Sequence, residues 1–154
     1  MAARVTLLAI DPGTTESGWV LLTSNDGIVA AGKSPNDELL ARAAQYGAMV
    51  GNELAIEMIA SYGMPVGKEV FETCVWIGRF IEAWGGTYAM TRVTRNEVKN
   101  HLCGSSKAKD PNVRQRLIDL FGAPGTKKAP GPTYGITGDM WAALGVAATV
   151  RGLR

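Results

Sequence analysis

The sequence predicts an α/β protein built on a five-stranded mixed sheet, with the first three strands in an antiparallel meander and helices flanking the sheet. Three features predict it. Short apolar, β-branched runs alternate with longer segments of helical periodicity. Turns, not helices, separate the first three runs, while the later runs are joined by stretches long enough to cross the sheet. With 154 residues, 46% hydrophobic and 19% charged, the chain is expected to be one domain, 1–154, whose core needs no covalent staples.

Val5–Ile10 has the length and branching of a strand buried on both faces, and Asp11-Pro12-Gly13 ends it. Asp11 then stands ionised beside a core that cannot hydrate it, which calls for pairing, hydrogen bonding or a metal. Capping the turn through Thr14 or Thr15 is one such use. Gly18–Thr23 is the second strand, Ser24-Asn25-Asp26-Gly27 a hairpin turn and Ile28–Gly32 the third strand. Helix-start residues at Ser34-Pro35-Asn36-Asp37-Glu38 open a helix that runs through Leu39, Leu40, Ala43, Ala44 and Met49 to about Gly51.

Leu54–Ile59 is the fourth strand, and Glu57 stands inside it. An acid there is rarer than one at a strand end, because nothing in the strand hydrates it. Ala60–Gly67 is a loop, and Lys68–Trp84 is an amphipathic helix whose wide apolar face suits the sheet, a second subunit, or both. Thr87–Val93 is the fifth strand. Thr94 and Glu97 make a capping box for a short helix to about Cys103. Gly104–Lys109 is a flexible basic connection, and Asp110-Pro111 begins a helix ending near Gly122. Residues 123–136 form a long loop expected to stay mobile until something binds it. Asp139 opens the last helix, expected to be buried because Met140, Trp141, Leu144, Val146 and Ala147 make it apolar nearly all round.

The net charge of +2 conceals an asymmetry: residues 1–90 carry five Lys and Arg against ten acids, and residues 91–154 carry eleven against four. The basic half suits a polyanion. No apolar run approaches membrane-spanning length, and no secretory signal opens the chain, so no membrane partner is expected. Cys74 and Cys103 give neither a disulfide framework nor a zinc pattern and are expected as buried free thiols. His101 is expected to be structural or at the surface, and Trp76, Trp84 and Trp141 to serve the core or a dimer contact.

If the first and fourth strands are neighbours, about 4.8 Å apart, Asp11, Glu57 and Asp139 converge at one sheet edge. Carboxylates so placed can share hard divalent metals. Two such metals roughly 4 Å apart activate water and stabilise the leaving oxygen of a phosphodiester.

Four segments together resemble the RuvC family of Holliday junction resolvases: Ile10 to Trp19 (IDPGTTESGW), Ala55-Ile56-Glu57, Val98-Lys99 followed by Gly104-Ser105-Ser106-Lys107, and Asp139 to Ala147 (DMWAALGVA). They cover almost the whole chain in order. The resemblance implies an RNase H-like fold, a homodimer, and cleavage of four-way and related branched DNA with Mg²⁺ or Mn²⁺. It implies that Asp11, Glu57 and Asp139 are metal ligands. It also places Lys107, or its neighbour Lys109, beside the scissile phosphate. Lys99, Arg114, Lys127 and Lys128 are expected to contact phosphates without reading sequence.

Two departures stand out. The family's last helix carries a second acid or His three residues on, where this chain has Ala142. Three carboxylates then suffice, Glu69 substitutes, or activity is reduced. The family's aromatic junction wedge falls near Ala60, leaving Tyr62 or Met64 to serve. The compact chain with its altered final motif looks phage-like, which implies the cytoplasm of a bacterial or phage-infected cell, with an organellar origin still open. Competing readings are a non-catalytic junction-binding protein, a plain ribonuclease H, and an actin-like or sugar-kinase phosphate-binding domain. The last needs a second such domain to enclose a nucleotide.

Overall fold

In the computed structural model, which describes residues 3–86 and 88–154, β1 (Val5–Asp11), β2 (Glu16–Thr23) and β3 (Ile28–Pro35) are followed by α1 (Asn36–Gly47) and β4 (Glu53–Glu57). Then come α2 (Lys68–Trp84), β5 (Met90–Val93), α3 (Arg95–Cys103), α4 (Asp110–Phe121) and α5 (Asp139–Arg151). The sheet order is β3-β2-β1-β4-β5. The meander β1-β2-β3 is antiparallel, whereas β4 runs parallel to both β1 and β5. Five strands, the meander and the mixed sheet are as the sequence predicts.

Period-2 alternation along β1 sorts its side chains into two cores. Leu8 and Ile10 face α1 and α2, in a cluster with Trp19, Leu21, Leu54, Ile56, Leu39, Ile77, Phe80 and Trp84. Leu7 and Ala9 face α3, α4 and α5, with Val20, Leu22, Ala55, Val98, Leu117 and Leu144. Covered on both faces and paired on both edges, β1 is the centre of the molecule.

Several boundaries differ from expectation. Ser34 and Pro35 pair with Ser17 and Glu16 as the end of β3, so they do not begin a helix. α1 stops at Gly47, short of Gly51, where the α1 and α2 backbones nearly touch: a Cβ on Gly47 would lie 2.1 Å from the Trp84 carbonyl oxygen. β4 ends at Glu57, so this acid is the last residue of the strand and not an interior one. β5 begins at Met90; the expected start at Thr87 lies outside the described residues.

The long loop before α5 is not the loose segment expected. Gly125 bridges Pro130, the Gly131 N–H donates to the Pro124 carbonyl, and the buried Thr133 hydroxyl donates to the Gly122 carbonyl at 2.7 Å. Cys74 and Cys103 are free and half-buried, not fully buried. His101 is structural: its Nε2 lies 2.7 Å from the Leu153 carbonyl oxygen and ties the chain end to α3. On α2, Phe71 and Val75 project outward, 62% and 63% exposed, one turn apart and opposite the sheet-facing Ile77, Phe80 and Trp84. Among the described residues no helix is long and apolar enough to cross a membrane.

Candidate active site

Strands β1 and β4 pair in register, Ala9 with Ala55 and Ile10 with Ile56, so Asp11 and Glu57 follow side by side at their carboxyl ends. Each acid lies two residues beyond an alanine buried beneath α5, and alternation turns both acids to that face. Crevices at the carboxyl ends of parallel strands are where α/β sheets bind ligands. One row runs across the sheet here: Lys33 of β3 pairs with Gly18 of β2, and Gly18 with Asp11 of β1.

Gly18 is the gap in that row through which α5 begins. A Cβ there would lie 2.5 Å from the Asp139 carbonyl oxygen and 2.8 Å from its Cβ. Asp139 therefore reaches the sheet only over a glycine. Gly18→Ala is expected to push the first turn of α5 away and cost about 1–3 kcal/mol through overpacking. A thermal melt showing unchanged stability, with Asp139 still paired to Lys33 in a crystal structure of the variant, would refute this.

The turn after Asp11 is held by Ser17 and Asn36, both buried. The Gly13 N–H donates to Ser17 Oγ at 3.1 Å, the Ser17 hydroxyl donates to Asn36 Oδ1 at 2.6 Å, and Asn36 Nδ2 donates to the Gly13 carbonyl at 3.0 Å. A cap from Asp11 to Thr14 or Thr15 is not needed, and its carboxyl faces a cleft of about 540 Å³. Asp11, Glu57, Asp139, Arg95, Asp110, Arg114, Trp141 and Ala142 line that cleft.

Charge in the cleft is unevenly matched. Lys33 Nζ lies 2.8 Å from Asp139 Oδ2, and Arg95 Nη2 lies 2.6 Å from Asp110 Oδ1. Glu57 Oε1 and Arg95 Nη1 are buried with no hydrogen-bond partner among the described residues. Burial, then the charges of Glu57 and Asp139, push the Asp11 carboxyl up to about 8. Burial also raises Glu57, which Arg95 and a hydrogen bond from Asp11 partly offset. The Arg95 hydrogen bond holds Asp110 below the usual carboxylate range, and the Asp139 hydrogen bond raises Lys33. Both carboxyls of this pair are thus biased toward the protonated form.

The donor set fits a hard divalent cation: two adjacent carboxylates, one with an unpartnered buried oxygen, need positive charge to ionise together. Yet among the described residues no three His, Cys, Asp or Glu side chains stand close enough to hold a metal as they are. Asp139 stands in the same cleft with its carboxylate paired to Lys33.

No protein-family model and no curated protein sequence matches the chain. Solved structures do. Thermus thermophilus RuvC superposes with a TM-score of 0.65 at 18% identity, over 95% of this chain and 93% of that one. The same organism's RuvC in complex with a Holliday junction substrate gives 0.68 at 17%, over 97% and 94%. The chain has a RuvC-like fold.

Within the RuvC-like frame, Asp11, Glu57 and Asp139 come together at one cleft, with Arg114 at its wall, 5.8 Å from the Trp141 ring centroid. Trp141 thus lines the cleft as well as packing on the core. Lys107 and Lys109 are exposed and do not line the cleft; neither do Lys127 and Lys128 on the loop before α5. Lys99 is half-buried on α3, close enough to lower Asp110. Glu69, weighed as a substitute for the missing acid, is exposed on α2 and outside the cleft. Tyr62, 56% exposed with φ of 50°, accepts from the Asn96 N–H at 3.2 Å, whereas Met64 is 68% exposed.

Lys33, Arg95 and Asp110 are the site residues that sequence reasoning missed. Arg95 was legible in part, since only Thr94 separates it from the carboxyl end of β5, a parallel strand beside β4. Lys33 reaches Asp139 through the β2–β3 register, and Asp110 reaches the cleft through the packing of α4 on α3.

Proposed function

We propose that the protein is a metal-dependent endonuclease that resolves four-way DNA junctions. The observation that carries this is the pair Asp11 and Glu57, ending adjacent parallel strands with Asp139 laid over Gly18 beside them. The overall likeness to a RuvC bound to a Holliday junction substrate supports the choice of DNA. Asp11, Glu57 and Asp139 would hold Mg²⁺ or Mn²⁺, which supplies charge neutralisation and activation of water at the phosphodiester. The chain's own part is to keep the two strand-end carboxylates fixed on a rigid sheet, to shed the protons that burial favours on them, and to set cations around the phosphate.

The exposed Lys107, Lys109, Lys127 and Lys128, with Lys99 and Arg114, give the DNA backbone a basic surface. The outward Phe71 and Val75 of α2 suit a two-fold contact with a second copy, which would present two clefts to a symmetric junction. Tyr62 and Met64 would meet the junction centre, a reading supported by their exposure on the loop after β4.

Ala142 in the cleft wall and the Lys33–Asp139 pair support one other reading, a junction-binding protein without cleavage. Labelled four-way, Y-shaped and linear duplex DNA, incubated with Mg²⁺ or Mn²⁺, separate the two. Paired symmetric nicks on the four-way junction are expected; tight binding with no nicks would establish the non-catalytic reading instead.

A further inference from the structure

We propose that Arg95, held in place by Asp110, is the group that contacts the phosphate to be cut. The inference rests on the nuclease reading only in taking the cleft as the place where a DNA phosphate docks. Five cations have a claim on that phosphate, and four are occupied or remote. Lys33 is paired with Asp139 and does not line the cleft. Arg114 lies over the Trp141 ring. Lys107, with Lys109 beside it, is exposed outside the cleft.

Arg95 differs from all of them. Its side chain is 26% exposed, its Nη2 is fixed at 2.6 Å on Asp110 Oδ1, and its Nη1 is buried in the cleft wall without a partner among the described residues. A guanidinium is a rigid planar fork, so fixing one nitrogen fixes the direction of the other donors. An unsatisfied buried donor of this kind costs free energy until an acceptor reaches it. A phosphodiester oxygen has the charge and geometry to be that acceptor. Asp110 is 80% exposed and is the positioning residue: it holds the fork and leaves Nη1 free. The chain thereby places a cation in the same cleft as the acids, on α3, where Thr94 and Glu97 cap the helix and hold its first turn.

Binding and cutting test this on the full-length protein. Junctions carry a single neutral methylphosphonate, moved through the three linkages on either side of the crossover, and binding is measured in Ca²⁺. In the natural protein one linkage is expected to weaken binding about tenfold when neutralised. In Arg95→Met the unmodified junction should bind about tenfold more weakly, with no further loss at that linkage. Its single-turnover cleavage in Mg²⁺ should fall roughly 10²–10³-fold, and Arg95→Lys should recover only part of it. Asp110→Asn should shrink the penalty at the same linkage, and Asp110→Glu should restore it.

If Arg95→Met cuts at the natural rate and keeps the linkage penalty, the Arg95 assignment falls while the nuclease reading stands. A natural protein that cuts nothing, yet shows an Arg95-dependent penalty, keeps Arg95 as the contact to the phosphate docked in the cleft and loses the nuclease. Absence of any sensitive linkage in the natural protein overturns the assignment whatever the cutting shows.

Discussion

Glu57→Gln is expected to reduce single-turnover cleavage of a four-way junction at least roughly 10²-fold, beyond the 10–100-fold typical of losing a mere supporting contact to a metal ligand. Gln keeps the shape and one acceptor oxygen but cannot supply the charge that a hard cation needs. Burial already disfavours an ionised Glu57, and its Oε1 lacks a partner among the described residues. The substitution should therefore leave the melting temperature unchanged or raised, and junction binding in Ca²⁺ within a few-fold of normal. Cleavage that survives in Glu57→Gln would remove this residue from the site. Loss of folding along with activity would assign it to stability instead.

Asp11→Asn should separate stability from function more sharply, because here the two effects have opposite signs. Asp11 ionises at about 8 in the folded protein against an ordinary 3.8, mainly through burial and then through Glu57 and Asp139. A carboxyl whose folded pKa is raised lends full stability below its unfolded value, and that contribution is lost as pH climbs through the folded value. For Asp11 the loss runs from about pH 4 to about pH 8. Asn carries no charge to bury, so metal-free Asp11→Asn should match the natural protein near pH 4 and exceed it at pH 8. The gain at pH 8 is expected to be several degrees, since about 1 kcal/mol moves the melting point of a chain this size by roughly 2–4 °C. Cleavage should be lost. For the natural protein, Mg²⁺ should tighten as pH rises toward 8 and release a proton on binding, which calorimetry in buffers of different ionisation enthalpy measures. Identical melting curves for the two proteins across that range would show that Asp11 is not buried against Glu57.

These two acids were also the most legible residues in the sequence. An Asp ending a β-branched run before Pro12-Gly13, and a Glu in a second apolar run, are anomalies that hydropathy alone exposes. The capping box at Thr94 and Glu97 formed as read, because a cap depends on four consecutive residues and nothing else. The loop before α5 was misread for the converse reason. Its Gly and Pro content signals turns, but the closures that hold it, Thr133 on Gly122 and Gly131 on Pro124, lie 11 and 7 residues apart. Spacing of that kind has no periodic signature. Glu69 was an equally local guess for the missing acid: it is close to Glu57 in sequence and on the wrong side of the sheet.

The sequence by itself determined the strand count, the meander, the helix order and the acids at Asp11, Glu57 and Asp139, because hydrophobic period and turn chemistry act over a few residues. The tertiary structure decided which cations and which further acid gather around these acids. Lys33 arrives by strand register, Asp139 by the space left at Gly18, and Arg95 and Asp110 by helix packing. Those juxtapositions are set by long-range shape, where one missing Cβ or a one-residue slip of register changes the neighbour.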